Sequence, residues 1–398
     1  MFIIVICMIL LFILGFKEKL ENEKNIEMIP IRVNVNGIRG KSTATRLITG
    51  ILTEYGYKTI GKTTGTAARM IYWNQDEEKK VVRGIQGANI KEQIKVIAEA
   101  SYMGVEALVC ECMAVNPEYQ EVYQEQMIKA NICVIVNVLE DHMDVMGPTL
   151  NQVAQAFSKT IPNNGWLITV DGPYRGYFEE EAKKKNTKVI IADNSKIPNG
   201  YLEKFDYTLF PDNVSIALAV SEALNIDTEI ALQGMLNAHP DPGAMRIHSI
   251  INDNIVSTFV NGFAANEPAS TMSIWDKVCE KDLPTDNPII LFNGRPDRVD
   301  RTEQFVKEMF PLLNGGTLIG IGEGIKCIND AYEKGKFNVD EYIDLGGNST
   351  EEIMQVLTKI MNNRVIFGIG NIHGDGEPLI KALLDLEENE NVTNLAFL

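Results

Sequence analysis

Basic residues are in short supply in this chain. Lys and Arg number 37 against 54 Asp and Glu, a formal net charge of −17 over 398 residues. There is no long Lys/Arg cluster. This excludes a nucleic-acid-binding surface, because phosphate contacts along a strand need a basic face. Cysteine is sparse and scattered, at Cys7, Cys110, Cys112, Cys133, Cys279 and Cys327. Cys110 and Cys112 form a C-x-C, but no second pair stands at zinc spacing. Both lie in an apolar run and read as buried strand residues. No disulfide framework is indicated, which fits a reducing compartment. Internal repeats and low-complexity tracts are missing too. Hydrophobic residues, at 45%, suffice for packed cores in two or three domains.

The most informative stretch is Val35-Asn36-Gly37-Ile38-Arg39-Gly40-Lys41-Ser42-Thr43. Alternating apolar residues before it (Ile31, Val33, Val35) read as a strand. Leu47, Ile48, Ile51 and Leu52 after it recur at helical spacing. Strand, glycine loop, Lys-Ser and helix is the setting of a phosphate-binding loop. Glycines let the backbone curl around a phosphate, and the helix N-terminus adds partial positive charge. Gly37 through Thr43 are therefore the candidate nucleotide contacts. Lys41 is placed for the terminal phosphates and the Ser42 hydroxyl for Mg²⁺. The long consensus has a glycine where Val35 stands.

Met1–Phe16 is almost wholly apolar. A helix of that length rises about 24 Å, slightly short of a ~30 Å hydrocarbon core. A signal peptide would carry a basic leader and a small-residue cleavage site, and a buried core helix would have a polar face. The reading is a short membrane anchor over 1–16, followed over 17–29 by a polar stretch that reads as a tether or a continuing helix. Lys17, Lys19 and Lys24 place the rest of the chain on the cytoplasmic side.

From Pro30 onward, nearly all-apolar strands alternate with amphipathic helices, which implies parallel sheets covered on both faces. Strands are expected at Ile31–Asn36, Ala107–Cys112, Ile132–Val138, Trp166–Val170 and Val189–Ala192. The run His239-Pro240-Asp241-Pro242-Gly243 reads as a domain linker. A second α/β unit of about 150 residues, a usual domain size, follows it. The fold class is thus α/β: a P-loop parallel-sheet ATPase domain over 30–238, then a smaller Rossmann-like domain over 239–398, with the anchor helix in front. Ligands in such sheets bind at the carboxyl ends of strands. Glu111 ends one strand there, and another runs into Glu140-Asp141-His142-Met143-Asp144. Glu111 and His142 are candidate Mg²⁺ ligands beside Ser42. His239, His248 and His373 are read as ordinary core or surface histidines.

These motifs resemble those of the Mur ligase superfamily: G-x-x-G-K-[ST], a strand-end Glu, and Asn137-Val138-Leu139-Glu140-Asp141-His142-Met143-Asp144 as N-x-x-E-D-H-x-D. The resemblance runs from about Ile31 to the C-terminus. It implies that Asn213 approaches the adenine, although Asp212 and Ile216 replace two residues of the family's H-N-x-x-N motif. Arg246, in Gly243-Ala244-Met245-Arg246, matches the arginine that contacts the terminal phosphate. Asn261 to Thr271 resembles the opening of the C-terminal domain, with Asn261-Gly262 where many members have Asp. The missing UDP-sugar domain, the anchor, and the strings Glu111-Cys112-Met113-Ala114-Val115-Asn116-Pro117 and Gly370-Asn371-Ile372-His373-Gly374 narrow the resemblance. They point to the ligase subunits that make poly-γ-glutamate for capsules.

The implied reaction uses ATP and Mg²⁺ to turn a glutamate carboxylate into an acyl phosphate, which an amine of another glutamate attacks. Lys41, Glu111, His142 and Arg246 would carry the catalysis, with Ser42, Glu111 and His142 on the metal. Thr64 would assist at the substrate, in Lys62-Thr63-Thr64-Gly65-Thr66. Arg295, Asp297 and Arg298 would meet substrate from the second domain. Arg39, Arg69, Arg83 and Arg301 are further counter-charges for a polyanion. The family's carbamylated lysine has Lys159 as its nearest counterpart, in an open register. Implied partners are glutamate, the growing polymer and small integral-membrane subunits. Two alternatives stay open: a membrane-tethered NTPase powering polymer export, and a Mur-type ligase for another acceptor.

Overall fold

The computed structural model describes the chain except residues 1, 65–67, 84–88, 206, 208, 242–244, 253–254, 264, 266, 282 and 396–398. Side chains at 251–252, 255 and 387–395 are also outside the description. Two compact units form: Met1–Phe205 with Leu209–Asp241, and Pro242–Leu398 with Asp206–Thr208. The main junction thus falls between 241 and 242, three residues past the expected boundary.

The first unit holds strands β1 (Ile31–Asn36), β2 (Thr59–Lys62), β3 (Arg69–Tyr72), β4 (Lys79–Lys80), β5 (Ala107–Glu111), β6 (Ile132–Ile135), β7 (Trp166–Val170) and β8 (Lys188–Ala192). Their order is β4-β3-β2-β5-β1-β6-β7-β8. Six strands are parallel, from β2 to β8, while β3 and β4 run antiparallel at one edge. The expectation of a purely parallel sheet is corrected at that edge. A strand as short as Lys79–Lys80, fully polar and exposed, carries no apolar alternation to read. β1 lies between β5 and β6, and this order brings the motifs together. Val35 is level with Glu111, and Asn36 with Ile135.

Helix Lys41–Glu54 follows β1 and buries Ala44, Leu47, Ile48, Ile51 and Leu52. Those positions make one apolar stripe at 3.6-residue period. The segment Asn116–Lys129 is an α-helix over Pro117–Val122, capped by the Asn116 side chain. It continues as a π-helix over Tyr123–Ile128.

The N-terminal run is helical, and of the two readings for the stretch after Phe16 the continuing helix is the one observed. One helix spans Phe2–Glu27. Its second half docks on the unit: Asn22 and Ile26 are buried, and Asn22 Nδ2 donates to the carbonyls of Gln126 and Met127 at 3.1 and 3.2 Å. The side chains from Phe2 to Phe16 are exposed. Among the described residues, no helix is long and apolar enough to cross a membrane. The expected spanning anchor is therefore not supported, because charged residues from Lys17 onward cut the apolar run short.

The second unit holds β9 (Arg246–Asn252), β10 (Ile255–Asn261), β11 (Ile289–Asn293), β12 (Thr317–Ile321), β13 (Glu341–Leu345) and β14 (Val365–Gly370), in the order β13-β12-β11-β14-β10-β9. Only β9 is antiparallel. Ile290 and Phe292 join a cluster with Phe305 and Phe310, while Ile289 and Leu291 join another with Phe259 and Leu379. Alternate residues of one strand thus fill cores on both faces, as a covered parallel sheet requires.

Candidate active site

The phosphate loop is shaped by two glycines. Gly37 (φ 123°) and Gly40 (φ 84°) occupy backbone regions that side-chain-bearing residues rarely adopt. A Cβ on Gly37 would stand 2.5 Å from Val136 Cγ2, and one on Gly40 2.4 Å from Asn213 Oδ1. Asn213 is buried and lies against the loop, where the resemblance places a nucleotide contact. Gly40 precedes the first turn of helix Lys41–Glu54 and offers no capping side chain. The first N–H groups of an α-helix lack intrahelical partners. Those of Lys41, Ser42 and Thr43 are therefore suited to an anion. The Lys41 ammonium donates to the carbonyls of Gly37 and Ile38, both at 2.9 Å, holding the loop closed on itself.

Ser42 and Glu111 meet directly. Ser42 Oγ donates to Glu111 Oε2 at 2.8 Å, and the Thr64 backbone N–H donates to the same oxygen at 2.8 Å. Both bonds fall on Oε2, so Oε1 keeps its lone pairs among the described residues. A carboxylate this buried (3% exposed) needs partners of this kind. Thr64 thus acts here through its main chain. Gly65 and Thr66 lie outside the described residues.

His142 is placed differently. It adopts left-handed backbone (φ 49°), is exposed, and caps the short helix Met143–Met146. Its Nε2 is 3.7 Å from Asp141 Oδ1, and Asp141 Oδ2 in turn is 3.6 Å from an Arg39 guanidinium nitrogen. A left-handed non-glycine residue is strained, and such residues cluster at functional sites. Ser42, Glu111 and Thr64 are brought together, while His142 lies beside Asp141, which in turn faces Arg39 of the loop. Hydroxyl and carboxylate oxygens suit a hard divalent cation. Among the described residues, no three His, Cys, Asp or Glu side chains converge as a ready metal site. Phosphate oxygens and water would complete the shell of a Mg²⁺ held by Ser42 and Glu111.

One loop residue went unnoticed as a site residue in the sequence. Asn137 follows β6, and its Oδ1 accepts from the N–H groups of Ile38 and Arg39 at 3.1 and 3.0 Å. Its Nδ2 donates to the Arg39 carbonyl at 2.9 Å. Its place at the head of the D-H-x-D motif was the available signal.

Lys159 ends a helix and pairs with Glu121 at 3.1 Å on an exposed face. Lys62 is fully buried, 3.6 Å from Glu92, which also receives Arg83 at 3.1 Å. Arg69 is 3.8 Å from Glu78. In the second unit, Arg246 begins β9, level with Asn261 of β10. Gly243 and Ala244 lie outside the described residues. Arg295 is engaged by Asp297 at 2.7 and 2.9 Å, while Arg298 is exposed. Asn293 Nδ2 donates to the carbonyls of Asn371 and His373 at 2.6 and 2.9 Å, and Arg301 donates to Asn371 Oδ1 at 2.6 Å. These bonds fix the Gly370–Gly374 string at a strand end.

A phosphate loop whose serine meets a strand-end carboxylate, on a largely parallel sheet followed by a second α/β unit, is the arrangement of a nucleotide-dependent ligase of the Mur class. Residues 35–239 match the Mur ligase middle domain, and residues 247–386 match the poly-gamma-glutamate synthase CapB C-terminal domain. The chain belongs to the CapB family within the Mur ligases, and so is an ATP-dependent amide ligase. It is 55% identical to the PGA synthase CapB of Bacillus subtilis (strain 168), over 99% of this chain and 100% of that protein. It is also 55% identical to the capsule biosynthesis protein CapB of Bacillus anthracis, over 96% of this chain and 83% of that protein. Among solved structures, E. coli FolC in complex with ADP superposes with a TM-score of 0.64 at 12% identity, covering 94% of this chain and 93% of that one. That likeness is one of fold.

Proposed function

We infer that this chain joins glutamate units into poly-γ-glutamate, activating a glutamate carboxylate with ATP and coupling it to the amine of another glutamate. The observation that carries the reading is the Ser42–Glu111–Thr64 cluster beside the phosphate loop, in a chain of the CapB family. A carboxylate oxygen of the substrate attacks the γ-phosphorus, the bond to ADP breaks, and an acyl phosphate forms. The amine then attacks the acyl carbon, phosphate leaves with the C–O bond electrons, and the ammonium proton is lost. Transfer of this kind needs alignment and charge neutralisation more than covalent help from the protein. The N–H groups at the start of helix Lys41–Glu54 hold phosphate oxygens. The Lys41 ammonium exchanges its carbonyl partners for phosphate. Ser42 and Glu111 would hold Mg²⁺, which supplies charge neutralisation when bound, and His142 and Arg246 are assigned from the resemblance. Thr64, Arg295, Asp297 and Arg298 are assigned to substrate on the same basis.

The partners in this reading are glutamate, the growing polymer and small integral-membrane subunits. The exposed apolar segment Phe2–Phe16 supports attachment at the cytoplasmic face of the cell membrane, shallower than a full span. The test is isotope transfer. With substrate labelled by ¹⁸O in its carboxyl group, released phosphate gains ¹⁸O if an acyl phosphate forms. Unlabelled phosphate, released equally without glutamate, would point instead to the NTPase alternative.

A further inference from the structure

We propose that Asn137 is a positioning residue for ATP: it locks the phosphate loop so that only the amides at the start of helix Lys41–Glu54 face the phosphates. The proposal rests on the nucleotide reading above. Phosphate loops of this length have more N–H groups than one phosphate uses, and something must decide which of them point at the ligand. Here the decision is visible. The Ile38 and Arg39 amides both donate to Asn137 Oδ1, at 3.1 and 3.0 Å, so they point away from any anion at the helix end. The Arg39 carbonyl is taken by Asn137 Nδ2 at 2.9 Å, and those of Gly37 and Ile38 by Lys41. The Asn137 main chain also packs against Gly37: a Cβ there would be 3.1 Å from both its N and its O.

Two elements 98 residues apart are thereby fastened along one side of the loop. Asp141, four residues further on, holds the Arg39 side chain from the same segment. Asn137 and Asp141 together join the loop to the stretch that carries His142. An amide is the side chain suited to this position, because it presents one acceptor with two lone pairs and a donor at once. Aspartate keeps the two N–H partners, loses the bond to the Arg39 carbonyl, and adds a negative charge beside the phosphates. Alanine loses all three bonds.

The test is isothermal titration of the full chain with Mg²⁺-ADP and with inorganic tripolyphosphate, alongside thermal melting, for the parent, Asn137→Ala and Asn137→Asp. Asn137→Ala is expected to weaken both ligands by about tenfold or more, because an unfastened loop must be ordered on binding. The loss is expected to be equal for the two ligands, since both are held by the loop. Asn137→Asp is expected to weaken both as well, by a factor that shrinks with rising salt as the added charge is screened. A folded variant that binds Mg²⁺-ADP within twofold of the parent overturns the proposal. So does a loss seen for ADP and not for tripolyphosphate, or failure of both variants to fold, which would make Asn137 a folding residue. A parent chain that binds neither ligand overturns the nucleotide reading itself, a separate result.

Discussion

Ser42 Oγ and Glu111 Oε2 stand 2.8 Å apart, although 69 residues separate them in the chain. The hydroxyl comes from the first turn after β1, and the carboxylate from the last residue of β5. Parallel pairing of these two neighbours places both at the same sheet edge.

Glu111→Gln keeps the size of the side chain and removes its charge. Glutamate-dependent phosphate release should fall by about 100-fold or more, as expected when a group neutralising transition-state charge is lost. Ser42→Ala should raise the Mg²⁺ concentration needed for half-maximal rate. Steady-state assays at varied Mg²⁺ check both, and parental rates would remove these residues from the site.

Arg46, on the helix after the phosphate loop, is buried with its side chain 2% exposed. It makes a two-pronged pair with Glu78, donates to the His239 carbonyl at 3.3 Å, and lies 3.7 Å from Asp241. Arg46→Met leaves the mostly buried Glu78 with Arg69, 3.8 Å away, as its remaining described partner, and should cost about 3 kcal/mol, the low end for breaking a buried pair. Adding Glu78→Gln should recover part of that loss. Denaturant unfolding of the single and double variants measures the coupling.

Gly50 is packed where no side chain fits: a Cβ there would be 2.3 Å from the Gly234 carbonyl oxygen and 2.7 Å from Ala238 Cβ. Gly50→Ala should destabilise by about 1–3 kcal/mol as the two helices are forced apart. Gly176→Ala, in a helix with open space around the position, should be neutral or stabilising by up to about 1 kcal/mol. Comparing their denaturation midpoints is the check.

Burial pushes the thiols of Cys110, Cys112 and Cys133 up, to about 11, 12 and 12. They are protonated at pH 8 and closed to reagent. Exposed Cys7 and Cys279 should react quickly with a thiol reagent in the native protein, half-buried Cys327 more slowly, and the buried three only after unfolding. Native and denatured thiol counts decide it.

Deleting residues 2–16 should leave the first unit's stability within about 0.5 kcal/mol, since the removed side chains are exposed and the docked half from Asn22 onward remains. Under the proposed attachment at the membrane face, the same deletion should shift the protein from the membrane to the soluble fraction. A deleted chain that still pellets with membranes would remove this segment as the attachment.

Local chemistry was readable without any fold. Glycines at 37 and 40, followed by Lys41-Ser42 between an apolar strand and an amphipathic helix, mark a phosphate loop, because its shape depends on residues within reach of one another. The nearly all-apolar runs at Ala107–Glu111 and Trp166–Val170 likewise announce covered parallel strands. The two-lysine strand β4 and the π-helical turn at Tyr123–Ile128 were not readable, since a short polar strand and a change of helix type leave little periodic trace. The antiparallel direction of β3 and β9 was not readable either, because direction is set by pairing across the sheet. Nor was the choice at Lys17 to Glu27, which reads as a tether or a continuing helix until Asn22 finds carbonyls more than 100 residues away.

Residue types at the site were thus set by sequence, and their partnerships by strand order. Glu111 and His142 both follow apolar strands and looked equivalent as metal ligands. Only the tertiary structure separates them: β5 delivers Glu111 onto Ser42, while left-handed backbone turns His142 toward Asp141. Asn137 was marked in the chain only as the head of the D-H-x-D motif, with no contact assigned to it. It acquires a role because β6 lies next to β1, so that one amide side chain meets two loop N–H groups and a carbonyl. A sequence specifies which groups a loop possesses, but which of them are already bonded depends on neighbours brought in from afar.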